Sequence, residues 1–282
     1  MILKLDTTLP TCHPGDYYTN SRSLYFTLLN NPIMFIPELL KIDPVYPPLL
    51  YVSPFYFYCF GGYGYDTAIL AISILYLSLL VIFLYLIGAH LFNREVGLLS
   101  VILCSFFPGI FGYSRMFLMA LPSVALSMIN VYVMIRSDCF RIKKYSLLFG
   151  LFLGLGMLMV KYYAVLLLGL SLGYLFDHMN IITHEKKRIC FNLLLTFGIA
   201  IVIALPWYAV SMRYIFAQCQ EAKHVVFFGR KAVFDFFSYS KHLIDYQIGI
   251  FFFSIFIISF GYLLVKRKLS RMMILWIMWP YV

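Results

Sequence analysis

From Asp66 onward the chain is a succession of apolar runs separated by short polar or basic stretches. They run roughly from Thr67 to Phe92, Val96 to Tyr113, Phe117 to Ile135, Tyr145 to Phe176, Ile189 to Val210, Ile248 to Val265 and Met272 to Val282. Several reach the roughly 20 residues an α-helix needs to cross a bilayer core of about 30 Å. Backbone polar groups inside lipid must be paired internally, which runs of this length achieve as helices. The pattern predicts an all-α chain, a polytopic transmembrane helix bundle over residues 66–282. Residues 1–65 differ: they are polar, rich in Pro and Tyr, and hold only short apolar pieces such as Pro32 to Leu40. They are expected to form an outer (periplasmic or extracellular) loop with short interfacial helices, one of them over Ser21 to Leu29. Rings with a polar tip, dense from Tyr51 to Tyr65, sit best at headgroup depth.

The basic residues fix a topology. Arg136, Arg141, Lys143 and Lys144 form one cluster, Lys186, Lys187 and Arg188 a second, and Lys266, Arg267, Lys268 and Arg271 a third. All three are expected to face the cytoplasm, so an even number of crossings separates each pair. Between the second and third this gives helix 189–210, an outer loop 211–247 and helix 248–265. Between the first and second there is a single run, 145–176, which as one helix would be about 48 Å long and would end on the wrong side. It is therefore expected to be a hairpin of two short helices with Lys161 at its outer turn. Counting back, Ser114 and Arg115 lie outside, the 90–95 connection inside, and residues 1–65 outside. An outer loop normally follows a first transmembrane helix, and the last run is too short to cross, so the chain is expected to lack a helix before Met1 and more after Val282.

Composition agrees with a membrane protein. With 62% hydrophobic and 12% charged residues, a soluble domain would have too little polar surface. The net charge of +10 is confined to clusters beside apolar runs and makes no continuous basic face, so no nucleic-acid partner is expected. The six cysteines show no CxxC pair and no zinc spacing, and are expected to act as small hydrophobes. The histidines form no ligand-spaced pair, so a protein metal site is not supported; no cofactor is expected, and dependence on a divalent metal stays open. Met1 to Pro14 lacks the basic head and apolar core of a signal peptide.

Ionisable groups near the outer face are the candidates for chemistry. Asp16, in Gly15-Asp16-Tyr17-Tyr18, reads either as a general base tuned by a partly apolar site or as a capping carboxylate. Lys161, in Met159-Val160-Lys161-Tyr162-Tyr163, is a cation inside an apolar run; it reads as a point charge for a lipid phosphate or as a snorkelling side chain. Arg115, in the turn Tyr113-Ser114-Arg115, offers a bidentate grip on the same kind of group. Tyr46-Pro47-Pro48-Leu49 is a stiff loop-to-helix corner. Gly150, Gly154 and Gly156 have helix-packing spacing.

In this order along a multi-pass chain, these elements resemble the C-class membrane glycosyltransferases. They are nearest to the protein O-mannosyltransferase and aminoarabinose transferase group, dolichyl-phosphate-mannose protein mannosyltransferase-like, over about Pro14 to Tyr208. The resemblance implies a polyprenyl-phosphate sugar donor and an acceptor on protein, lipid or glycan. It implies an inverting transfer in the plasma (inner) membrane, with Asp16 as catalytic base. Tyr17, Asp43, Tyr46, Arg115 and Lys161 are then the expected substrate-binding residues. One departure stands out: Ala120 occupies a position where the family commonly carries a second acidic residue. A transporter or flippase-like protein, or an inactive subunit of a cell-envelope polysaccharide system, are the alternative readings; the transporter reading would require interrupted helices in matching halves.

Overall fold

The computed structural model describes residues 13–179 and 185–228, with side chains to residue 217, and the isolated positions Ser254 and Ile257. The third basic cluster, most of the last two apolar runs and residues 229–247 lie outside the described residues. All the elements described are helical: α1 (His13–Asn30), α2 (Pro32–Lys41), α3 (Leu49–Val52), α4 (Phe55–Gly61), α5 (Tyr65–Ile72), α6 (Ser78–Leu91), α7 (Arg94–Ser105), α8 (Pro108–Tyr113), α9 (Ala120–Arg136), α10 (Lys143–Met157), α11 (Tyr163–Asp177) and α12 (Lys186–Phe228). A π-helical turn, Ser73–Leu77, joins α5 to α6. Two stretches are long and apolar enough to cross a membrane, Tyr65–Leu91 and Lys186–Ala217.

The run 145–176 is broken as expected. α10 ends at Met157, α11 begins at Tyr163, and the chain reverses between them. Tyr174, near the end of α11, donates its hydroxyl to the Ile135 carbonyl at 3.4 Å. Glu185, just beyond α11, pairs at 2.6 Å with Arg141, just before α10. Both ends of the hairpin therefore lie together and its tip points away. α12 runs alongside α10 in the same direction: Thr196 donates to the Ser146 carbonyl at 2.9 Å, and Tyr208 donates to Met157 at 3.3 Å. Glycine makes this approach possible, since a Cβ on Gly150 would stand 2.4 Å from the Thr196 carbonyl oxygen and one on Gly154 2.9 Å from Ile203. A similar contact, Gly88 against Gly97, closes the α6–α7 hairpin.

The helices thus share two ends. One holds Arg136, Arg141, Lys143, Lys144 and Lys186 to Arg188. The other holds the hairpin tip and the helices of residues 13–61. There α1 buries Tyr17, Ser21 and Leu24 on one face while Asp16, Thr19 and Ser23 stay exposed, the spacing of an amphipathic helix. Its buried Ser21 donates to the Tyr51 carbonyl at 2.6 Å.

Three sequence expectations need correction. The helix expected over Ser21 to Leu29 spans all of His13–Asn30. The run Val96 to Tyr113 breaks at Phe106–Phe107, because Pro108 has no N–H for a continuing helix. The segment from 211, expected to open a loop, continues α12 as far as Phe228. Pro206 lies within that helix without ending it.

Between α9 and α10 three consecutive residues without glycine take left-handed conformations: Asp138 (φ 49°), Cys139 (φ 58°) and Phe140 (φ 62°). Each such residue costs about 1–2 kcal/mol, and side chains hold the turn in place. The Ser137 hydroxyl accepts from the Phe140 N–H at 3.1 Å. The buried Asn192 amide donates to the carbonyls of Phe140 at 2.7 Å and Arg141 at 3.2 Å. Asn192→Leu removes the donor to both carbonyls and is expected to destabilise the protein by about 1–3 kcal/mol. The loss should appear as a lower melting temperature in detergent; an unchanged value would show that the turn holds without this staple.

Candidate functional site

The hairpin tip is tied to the helices of residues 13–61 by a set of polar contacts. Leu49 N–H donates to the Leu158 carbonyl at 3.0 Å, pinning the buried Pro47-Pro48 corner to the break between α10 and α11. Pro48 is then the N-cap of α3. Asp43 supports the corner from the other side: Oδ1 accepts from the Val45 and Tyr46 N–H groups at 2.8 and 3.0 Å, and Oδ2 from the Tyr51 hydroxyl at 2.7 Å. Trp207, on α12, donates to the Asp43 carbonyl at 3.3 Å.

Lys161 meets this cluster at the tip. Its Nζ stands 5.7 Å from the centre of the Tyr46 ring, within cation–π range, and its carbonyl accepts from Tyr208 at 3.0 Å. The Tyr46 ring packs edge-on against Tyr17 at 5.2 Å, and Tyr17 lies 6.1 Å from Tyr51. Burial, followed by the hydrogen bond to Tyr46 and the negative charges of Asp43 and Asp16, holds the Tyr17 phenol well above its ordinary pKa. Burial and then the bond to Asp43 do the same for Tyr51.

The folded state therefore keeps these phenol protons longer than the unfolded chain. Their contribution to stability is complete below the unfolded value of about 10 and is lost as pH rises beyond it. Tyrosinate absorbance titrated upward should show a late-ionising class that shrinks in Tyr17→Phe and Tyr51→Phe. An unchanged titration curve in both variants would contradict the burial.

Of the residues singled out from sequence, the structure brings Tyr17, Asp43, Tyr46 and Lys161 together. Asp16 is exposed in the first turn of α1, beside Tyr17. Since α1 begins at His13, Asp16 lies within the turn and is not its cap. Arg115 stands at the same end but packs over the Phe111 ring, 3.9 Å from its centre. The neighbouring Ser114 carbonyl accepts from Ser73. Sequence reasoning missed Tyr51, Trp207 and Tyr208, although an aromatic pair closing an apolar run was a signal of an interface position. Ala120 opens α9. Among the described residues, no group of three or more His, Cys, Asp or Glu side chains is placed to hold a metal ion.

The model of the dolichyl-phosphate-mannose-protein mannosyltransferase family matches residues 47–209, more than half of the chain. The chain belongs to that family. No curated protein and no solved structure matches it. The family is one of membrane glycosyltransferases. Within this member the matched region contains Arg115, Lys161, Trp207, Tyr208 and the Pro-Pro-Leu corner, whereas Asp16, Tyr17, Asp43 and Tyr46 precede it. The hairpin tip and Lys161 thus lie inside the matched span, and the loop residues that pack against them lie before it.

Proposed function

We propose that this protein is a multi-pass glycosyltransferase of the plasma membrane. It moves a sugar from a polyprenyl-phosphate donor to an acceptor hydroxyl on protein, lipid or glycan at the outer face. The observation that carries the reading is the meeting of Lys161 with the Tyr17–Asp43–Tyr46 cluster at the hairpin tip, opposite the basic end, in a chain of this family. Exposed apolar side chains along the long helices, such as Ile74 and Ile82 on the α5–α6 stretch and Leu194 and Val202 on α12, support contact with lipid.

In the proposed step the Asp16 carboxylate takes the proton of the acceptor hydroxyl as its oxygen bonds to the anomeric carbon. The bond from that carbon to the phosphate oxygen breaks, with inversion, and its electron pair leaves on the lipid phosphate. The Lys161 ammonium balances that charge, and the Tyr46 ring aligns the lysine. The Asp43 carboxylate already accepts three hydrogen bonds, and its part is to hold the Pro-Pro corner and Tyr46 in register. Arg115, over Phe111, is a second cation for the donor at the same face.

The reading is tested with the full chain in proteoliposomes and a polyprenyl-phosphate hexose donor. Lys161→Met removes a charged contact of about 1.5–3 kcal/mol, so donor KM is expected to rise by about 10- to 100-fold. An unchanged KM would remove Lys161 from donor binding. Absence of transfer by the parent with any donor would favour an inactive relative, with Ala120 the residue to examine.

A further inference from the structure

At the end opposite the candidate site, an open groove of about 610 Å³ runs along α10 against α12. Leu147, Leu148 and Leu151 of α10 and Ile199 of α12 line it, and Lys143 and Lys144 stand at its mouth. The positions 143/144, 147/148 and 151 repeat at helical spacing, so the slot is one stripe about 12 Å long. The lysines are exposed. Among the described residues, the ion pairs of this end join Arg141 to Asp138 and Glu185, and Arg188 to Glu185. Neither lysine belongs to one.

We propose that this groove binds one anionic phospholipid, its phosphate between Lys143 and Lys144 and an acyl chain along Leu147, Leu151 and Ile199. Asp138 and Glu185 are committed to the arginines, and neither lysine shares in those pairs, which leaves the lysine charge for an outside anion. A basic mouth on an apolar slot between helices fits a charged headgroup with a chain attached. A soluble anion would gain nothing from the leucines, and a zwitterionic lipid would gain less from the lysines. The inference rests on the chain being embedded in a membrane and is independent of sugar transfer.

The test uses the full chain in nanodiscs of equal parts phosphatidylcholine and phosphatidylglycerol, with retained lipids counted by native mass spectrometry. The parent is expected to keep one phosphatidylglycerol. K143Q/K144Q is expected to keep it about tenfold less well or worse. I199W, which fills the slot and leaves both lysines, is expected to lose it as well. Glycerol phosphate in solution should not displace it. Equal retention of phosphatidylcholine, or retention unchanged in K143Q/K144Q, would overturn the site. Loss confined to the lysine variant would reduce it to surface attraction, and displacement by glycerol phosphate would make it a free-anion site; either overturns the proposal. The transfer assay is read separately, so the fate of one reading leaves the other standing.

Discussion

Asp16→Asn is expected to lower sugar transfer by about 10²- to 10⁴-fold, the usual contribution of a general base, with expression and donor binding nearly unchanged. The asparagine keeps the size and hydrogen-bonding reach of the side chain but cannot take a proton. A purely structural carboxylate in the first turn of a helix interacts with the dipole for only about 0.3–1 kcal/mol, which would appear as a small loss of stability and little change in turnover. Asp16 is exposed while its neighbour Tyr17 is buried against Tyr46, so its removal disturbs no packing. The two outcomes separate when initial rates and melting temperature are measured on the same preparation. Retained activity would take Asp16 out of the mechanism.

Gly150→Ala is expected to destabilise the bundle by forcing α10 away from α12. Its new Cβ would sit 2.4 Å from the Thr196 carbonyl oxygen and 3.0 Å from the Thr196 Cα. Both are backbone atoms that no rotamer change can move aside. α10 and α12 must separate, which strains the Thr196–Ser146 bond and the Gly154 contact further along. Overpacking of this kind costs about 1–3 kcal/mol. Gly198, in α12, is the control, because a Cβ there meets nothing within 4 Å. Gly198→Ala should be neutral or stabilising by up to about 1 kcal/mol from helix propensity. Melting curves in detergent that place both variants together would refute the close-packing account.

Much of the helical architecture was legible because the apolar runs are long enough to form helices. The hairpin at Lys161 followed from charge sign and run length, and the glycines of α10 from their spacing. The left-handed turn at Asp138 to Phe140 was not legible, since it contains no glycine and depends on Asn192, 52 residues away from Phe140. The full extent of α12 was hidden because hydropathy falls after Val210 while the backbone hydrogen bonding continues. In the site, Lys161 and Tyr46 were singled out but their meeting was not foreseen. Sequence also gives no sign that the Asp43 carboxylate accepts from Val45, Tyr46 and Tyr51.

The most direct test of the central claim is transfer measured with sidedness. In proteoliposomes of uniform orientation, a cysteine replacing Tyr162 at the hairpin tip and one replacing Lys144 are labelled with an impermeant reagent to mark the two faces. A labelled sugar donor and a soluble acceptor are then supplied on one side at a time. Transfer, with release of polyprenyl phosphate, is predicted only when the acceptor is on the Tyr162 face. Transfer on the Lys144 face, or both cysteines reacting from the same side, would contradict the account.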